Sequence, residues 1–147
     1  MTHFQSFYLI RPYLLSLYYS LLVLLISVLP IAYARYSRKI SLKYLSKPRT
    51  LYKKYKPWAK RAQWAHENSF ESFIIHSPSV LIAISLILSG ITLPYQCTAA
   101  AMLHPIFRFI YIIMYIINRP ILRIISWGGA LGSSLLIYFY TFNELHL

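Results

Sequence analysis

Acidic residues are scarce in this 147-residue chain: three stand against fifteen lysines and arginines, which gives a net charge of +12. Charged residues of both signs make up 12% of the sequence, whereas a soluble domain carries about 25%. Hydrophobic residues reach 58%, more apolar surface than a single domain of this length can bury in a core of its own. The composition therefore excludes an ordinary soluble protein and predicts one integral membrane domain over residues 1–147.

Cysteine is nearly absent as well, since Cys97 stands alone. A single cysteine excludes an intrachain disulfide and a cluster of thiolate metal ligands. The histidines are scattered along the sequence, and no pair has the spacing of a zinc site. We therefore expect no metal centre.

Long apolar runs predict four membrane-spanning helices, because a bilayer core of about 30 Å needs about 20 residues at about 1.5 Å each. The fold class we predict is an all-α integral membrane protein, a bundle of four transmembrane helices. The predicted spans cover about residues 12–34, 58–89, 98–117 and 121–142.

Two features inside these spans predict local geometry. Pro78 lies within the second span, where a proline favours a kink. Gly128 and Gly132 form a G-x-x-x-G pair in the fourth span, which favours close helix packing. The turn at 118–120 contains Pro120, which suits the first turn of a helix.

The positive charge is concentrated in one loop, residues 35–60. Eleven of the fifteen lysines and arginines lie between Arg35 and Arg61. Such a block is typical of a cytoplasmic loop, so we predict that both termini lie on the non-cytoplasmic side of the cell or inner membrane. Part of the loop, residues 42–55, is a candidate for a helix along the membrane surface. Tyrosines interleave with lysines there, as in nucleic-acid-binding proteins, but the loop is too short for a domain and we predict no nucleic-acid partner.

The stretch 61–73 opens the second span with polar residues. At about 100° per residue, Arg61, Asn68 and Glu71 fall within about 80° of one another on a helix. A charged side chain at the centre of a bilayer costs about 2.5–3.5 kcal/mol, so an intramembrane ionisable group indicates a functional site. The alternative is that these charges only mark the interface. His66 points away from this stripe, and we expect it to make a helix contact rather than act as a base.

Two further sets of polar residues share the depth of that stripe. Arg108, Tyr111 and Tyr115 lie on one face of the third span at i, i+3 and i+7, and Arg123 opens the fourth span. The tyrosines could instead form an aromatic belt, and Arg108 could pair with Glu71. Together, however, the three helices predict a site for a ligand with several carboxylates, an amine and amides, which describes a small acidic peptide such as glutathione.

Two sequence patterns also resemble a known family, the MAPEG proteins (membrane-associated proteins in eicosanoid and glutathione metabolism). The first pattern is Arg61-Ala62-x-x-Ala65-His66-x-Asn68-x-x-Glu71-x-Phe73. The second is Arg108-x-x-Tyr111-x-x-x-Tyr115, followed by Pro120-x-x-Arg123. The resemblance covers about residues 58–132.

This resemblance implies a homotrimer that holds glutathione, as co-substrate, between neighbouring subunits near the cytoplasmic side. By matching positions, Asn68 and Glu71 would hold the peptide, and Tyr111 and Tyr115 would line the site. The resemblance implies that Arg108 is structural or binds a carboxylate, and that Arg123 stabilises the glutathione thiolate. Arg61 belongs to the same predicted binding site.

The resemblance implies a glutathione-dependent transferase or peroxidase that acts on lipophilic electrophiles or hydroperoxides from the bilayer. Arg123 and Tyr115 are the predicted catalytic residues. Two positions depart from the family pattern: Glu67 stands where active members often carry arginine, and Ile124 stands where some carry serine. The alternative is a non-catalytic family member that binds lipid or a partner protein. A small transporter is disfavoured, because the sequence has neither inverted repeats nor broken half-helices.

Overall fold

The computed structural model describes residues 3–36 and 52–145, and this part of the chain is helical without a β-strand. Each helix coincides with an apolar run of the sequence. The helices are α1 (His3–Ile26), α2 (Leu29–Tyr36), α3 (Pro57–Leu88), α4 (Tyr95–Ile116) and α5 (Pro120–Leu145), with a short 3₁₀ turn at Tyr52–Lys54.

The helices provide four segments that are long and apolar enough to cross a membrane: Phe7–Tyr36, Pro57–Leu88, Tyr95–Ile116 and Pro120–Leu145. The predicted fold class, an all-α bundle of four membrane-spanning helices, is confirmed. The 32 residues of α3 extend over about 48 Å at about 1.5 Å per residue, which exceeds the bilayer core of about 30 Å. One end of α3 therefore projects beyond the hydrocarbon.

The first span, predicted over 12–34, is one membrane-crossing segment that is made of two helices. The chain leaves the helix after Ile26 and enters α2 at Leu29. Pro30 explains the break, because it has no N–H to donate to the carbonyl of Ile26. The break leaves Ser27 Oγ 2.7 Å from His66 Nδ1, while the Ser27 hydroxyl donates to the carbonyl of Leu24 at 2.6 Å. His66 therefore makes a contact between helices, as predicted.

The surface helix predicted at 42–55 lies largely outside the described residues. Its described end is the 3₁₀ turn Tyr52–Lys54, and Tyr55 follows this turn. Tyr55 is buried against Ala34 and Ala59, so the end of the basic loop packs on the end of α2 and the start of α3.

Two buried histidines join the helices at the centre of the bundle. The rings of His76 on α3 and His104 on α4 are stacked, with centroids 3.6 Å apart and an interplanar angle of 3°. All four ring nitrogens have a serine hydroxyl within hydrogen-bonding distance. The serines are Ser16 and Ser20 on α1, Ser72 on α3 and Ser134 on α5. Since polar groups inside a membrane need internal partners, this cluster restricts how the four spans can pack.

The hydrogen bonds of Ser16 fix the tautomer of His76. The Ser16 hydroxyl donates to the carbonyl of Ala101 at 2.5 Å, and Ser16 Oγ also lies 2.8 Å from His76 Nε2. Because a hydroxyl has one hydrogen, Nε2 of His76 must carry a proton and donate to Ser16. His76 Nδ1 is then an acceptor for Ser134, whose Oγ lies 3.1 Å from it and 3.3 Å from the Ala130 carbonyl oxygen, so the single Ser134 hydrogen serves one of these two acceptors at a time.

Small residues on α3 form a face on which α2 and α4 pack. Ala59, Ala62, Ala65 and Ser69 are buried at intervals of three or four residues, so they share one face of the helix. Ala65 packs in one cluster with Tyr111 of α4. This narrow face brings the polar end of α4 next to that of α3.

Close packing of α5 depends on a glycine other than the predicted pair. A Cβ placed on Gly128 or Gly132 would meet no atom within 4 Å, so within one copy of the chain neither is a close-packing position. A Cβ on Gly129 would lie 2.8–2.9 Å from ring atoms of Phe107 on α4. The kink expected at Pro78 stays a prediction, although α3 is helical through that residue.

These contacts predict different effects for neighbouring glycines. Gly129→Ala should destabilise the bundle by about 1–3 kcal/mol, because the added methyl group overpacks against Phe107. Gly128→Ala is the matched control and should be neutral or slightly stabilising, since alanine has the higher helix propensity. Thermal unfolding in detergent measures both variants. An equal loss of stability in the two would contradict the assignment of the contact to Gly129.

Candidate functional site

The start of α3, the end of α4 and the start of α5 meet at one end of the bundle. Arg61 joins the first two, because its Nε and Nη2 donate to the carbonyl of Ile116 at 3.2 and 3.0 Å. Ile116 is the last residue of α4, and carbonyls in the last turn of a helix lack partners within it. Arg61 therefore caps α4 in addition to lying next to the site.

The turn from α4 to α5 depends on Asn118, which has a φ of 63°. Asparagine is one of the few residues other than glycine that adopts this left-handed conformation readily. Pro120 then begins α5, as predicted. This tight turn places Arg123 of α5 beside Tyr115 of α4.

An aromatic and cationic wall follows from this turn. The Arg123 guanidinium carbon lies 4.5 Å from the centroid of the Tyr115 ring, a cation–π geometry. Tyr115 also contacts Tyr111 at 5.4 Å and Trp64 at 6.5 Å between ring centroids. The wall therefore combines side chains from α3, α4 and α5.

Two cavities share this wall. The smaller one, about 240 Å³, is lined by Asn68, Tyr111, Tyr115, Arg123, Ile124 and Trp127. The larger one, about 450 Å³, is lined by Pro57, Lys60, Arg61, Trp64, Tyr115, Asn118 and Arg123. Tyr115 and Arg123 belong to both. We call the two together the paired cavity.

The charged side chains that line the paired cavity are all positive. Lys60, Arg61 and Arg123 line it, and of the described residues no acidic side chain does. Converging guanidinium and ammonium groups attract carboxylates, and arginine can bind them with two parallel hydrogen bonds. The amide of Asn68 adds a donor and an acceptor. The arrangement fits an anionic ligand that also carries amide groups.

Arg108 lies behind this wall rather than in it. Its side chain is 2% exposed, Nη2 donates to Ser69 Oγ at 2.9 Å, and the guanidinium carbon lies 4.2 Å from the Tyr111 ring centroid. Nε and Nη1 are buried and have no hydrogen-bond partner among the described residues. The side chain thus supports Tyr111, which lines the cavity.

The pairing of Arg108 with Glu71, considered as an alternative, is not formed among the described residues. Glu71 is exposed, and it lines neither part of the paired cavity. Glu67 is exposed as well, and its carboxylate accepts a hydrogen bond from the amide of Gln63 at 3.0 Å. The structure therefore brings together Arg61, Asn68, Tyr111, Tyr115 and Arg123, but it leaves Glu71 outside that group.

Sequence reasoning missed several residues of the paired cavity. Trp64 lies one helical turn after Lys60 and Arg61, so helical periodicity alone could have placed it there. Trp127 is four residues after Arg123 and follows from the same rule. A separate cavity of about 510 Å³, lined by Val28, Ile31, Ala32, Arg35, Tyr36 and His66, depends on the break between α1 and α2 and had no sequence signal.

Four membrane-spanning helices around a cationic cavity at one end define a small multi-pass membrane protein. The family model of the MAPEG family matches residues 14–143, nearly the whole chain. No curated protein and no solved structure is found to match it. The chain therefore belongs to the MAPEG family, which confirms the resemblance seen in the two sequence patterns.

The capping contact predicts a structural effect of Arg61. Arg61→Met removes both hydrogen bonds to the Ile116 carbonyl and should destabilise the protein by about 1.5–3 kcal/mol, the range for hydrogen bonds from charged groups. Arg119→Met is the control, because Arg119 is exposed in the nearby turn and lines neither part of the paired cavity. Thermal unfolding in detergent compares the two, and equal stability of both variants would show that the cap contributes nothing.

Proposed function

We propose that this protein is a glutathione-dependent membrane transferase or peroxidase that acts on lipophilic electrophiles or hydroperoxides. The family contains both such enzymes and non-catalytic members, and its proteins generally use glutathione. The observation that carries the proposal is the position of Arg123, which lies over Tyr115 on the wall shared by both parts of the paired cavity.

Glutathione is an acidic tripeptide with two carboxylates, an amine, two amides and a thiol. Lys60 and Arg61 supply positive charge for a carboxylate, and Asn68 can hydrogen-bond a peptide group. Tyr111 and Tyr115 provide aromatic walls. Arg108 acts on this site through Tyr111, against which it is stacked. The amine of glutathione has no carboxylate partner in the paired cavity of one chain. The proposed role of Glu71 therefore requires that the amine reach Glu71 from outside that cavity.

Arg123 supports the chemistry because a thiol is nucleophilic as its thiolate. A guanidinium beside the sulfur favours loss of the thiol proton to water. In the transferase reaction, the thiolate forms a C–S bond with an electrophilic carbon and a leaving group such as chloride departs. In the peroxidase reaction, two glutathione molecules are oxidised to the disulfide while one hydroperoxide is reduced to an alcohol and water.

The second substrate would reach Arg123 from the bilayer. Ile124 and Trp127 line the smaller part of the paired cavity and are 62% and 45% exposed. On a membrane-spanning helix, such apolar exposure meets lipid. The reactive sulfur would thus lie between a cationic interior and an apolar edge, as a lipophilic electrophile requires.

The same proposal includes the assembly and the topology. A homotrimer is the general state of the family, and it is proposed for this chain with glutathione between neighbouring subunits. The end that holds the paired cavity is also the end of the basic loop, so we propose that it faces the cytoplasm and that both termini lie on the other side of the cell or inner membrane.

The role of Arg123 predicts a selective loss of activity. Purified protein in detergent should conjugate a chlorinated dinitroarene, or reduce a lipid hydroperoxide, only when glutathione is present. Arg123→Ala should lower that rate about 100-fold, as loss of one electrostatic contact to a developing charge does. Arg119→Ala is the control and should retain the rate. An unchanged rate in Arg123→Ala, with the fold intact, would exclude the thiolate role.

A non-catalytic family member that binds lipid or a partner is the alternative, and Glu67, which stands where active members often carry arginine, favours it. Glutathione binding separates the two. Glutathione at 100 times its dissociation constant should stabilise a binder by about 2.7 kcal/mol, which a thermal-shift titration detects. Arg61→Gln combined with Lys60→Gln should weaken that stabilisation. Absence of any shift in the unaltered protein would favour the non-catalytic alternative.

A further inference from the structure

The described end of the basic loop presents lysines on an anchored support. The tyrosines and lysines of this segment differ in exposure. Tyr52 and Tyr55 contact the bundle, whereas Lys53, Lys54 and Lys56 are exposed. We call these three lysines the lysine ridge.

Both tyrosines are held by several partners. Tyr55 is 7% exposed, accepts a hydrogen bond from Arg35 Nε at 3.0 Å and packs against Ala34 and Ala59. The Tyr52 ring lies 6.4 Å from that of Trp64, and Lys60 Nζ is 5.6 Å from its centroid. The 3₁₀ turn is therefore fixed to α2 and α3, and the ridge is displayed at a defined place on the bundle.

The ridge adds to a strongly one-sided charge distribution. Exposed Arg35 and Arg119 lie at the same end of the bundle, since contacts of Tyr55 and Arg61 join α2, α3 and α4 there. At the opposite end of the described chain, Arg11 and Glu144 are the charged residues. At this opposite end, Ile10, Ile87 and Cys97 pack together in one buried cluster. Of the three acidic residues, none lies on the ridge.

Aromatic side chains place the ridge at the level of lipid headgroups. Tyr33 and Trp58 contact each other at 6.2 Å between centroids, and Tyr33, Tyr36 and Trp64 are exposed around the same end. Tyrosine and tryptophan concentrate where a membrane-spanning helix leaves the hydrocarbon. A cation at this level lies within reach of the phosphates of the adjacent leaflet.

We propose that the lysine ridge is a binding surface for the headgroups of anionic phospholipids in the leaflet at this end of the bundle. The positive charge of the ridge, its fixed position on the bundle and its depth at the headgroup level all match an anionic membrane surface. Each lysine at such a surface strengthens binding about fivefold. The surface is distinct from the paired cavity, so this proposal stands whether or not the protein uses glutathione.

The test uses the full-length protein in lipid nanodiscs. Nanodiscs of phosphatidylcholine alone are compared with nanodiscs that contain phosphatidylglycerol, and native mass spectrometry counts the anionic lipids that the released protein retains. Lys53→Gln combined with Lys56→Gln should lower the retention of phosphatidylglycerol about 25-fold, because each lysine contributes about fivefold. Arg11→Gln removes one positive charge at the opposite end and should leave retention unchanged. Both variants alter exposed side chains, and thermal unfolding verifies that they remain folded.

Three results would overturn the proposal. Equal retention of phosphatidylglycerol and phosphatidylcholine by the unaltered protein would show that the ridge does not select anionic headgroups. A loss of about fivefold in Arg11→Gln, the same per charge removed as in the double lysine variant, would show a nonspecific effect of net charge. Displacement of the lipid by single-stranded RNA at equal phosphate concentration, with inorganic phosphate inactive, would assign the ridge to nucleic acid instead.

Discussion

The architecture depends on satisfying polar side chains between membrane-spanning helices. His76 and His104 stack at the centre of the bundle, and serines from α1, α3 and α5 bond to their ring nitrogens. A slide of one helix past another would leave several of these groups without partners in a medium that offers no water. The register set at this cluster extends along α3 and α4, where Ser69 holds Arg108, and determines which residues meet at the end of the bundle.

The residues that meet at this end of the bundle form a wall shared by two cavities. Arg123 and Tyr115 form it, Asn68 and Tyr111 line one side, and Lys60 and Arg61 line the other. Arg61 also caps α4 through the Ile116 carbonyl, so one side chain contributes to the shape of the site and to its charge. The lysine ridge lies further out, on a turn anchored by Tyr55.

Hydropathy and the position of polar residues predicted the fold and most of the wall, because apolar runs specify spans and their connectivity brings three helix ends together. Other features had no sequence signal. His76 and His104 lie on different helices, so their spacing in sequence is uninformative. Gly128 and Gly132 match a packing pattern, yet Gly129 faces Phe107, because helix rotation decides which glycine meets a neighbour. Glu71 lies close to Asn68 on a helical wheel but is exposed, while Pro30 interrupts a run that hydropathy reads as continuous.

Crosslinking of paired cysteines tests the central claim most directly, namely that α3 and α5 meet across the smaller part of the paired cavity. With Cys97→Ala as background, Asn68→Cys and Ile124→Cys should be joined within one chain by a short bifunctional thiol reagent, as intact-mass measurement would show. Asn68→Cys with Leu135→Cys, three turns further along α5, should remain unlinked. Linkage of the second pair as readily as the first would contradict the register that the buried histidines impose.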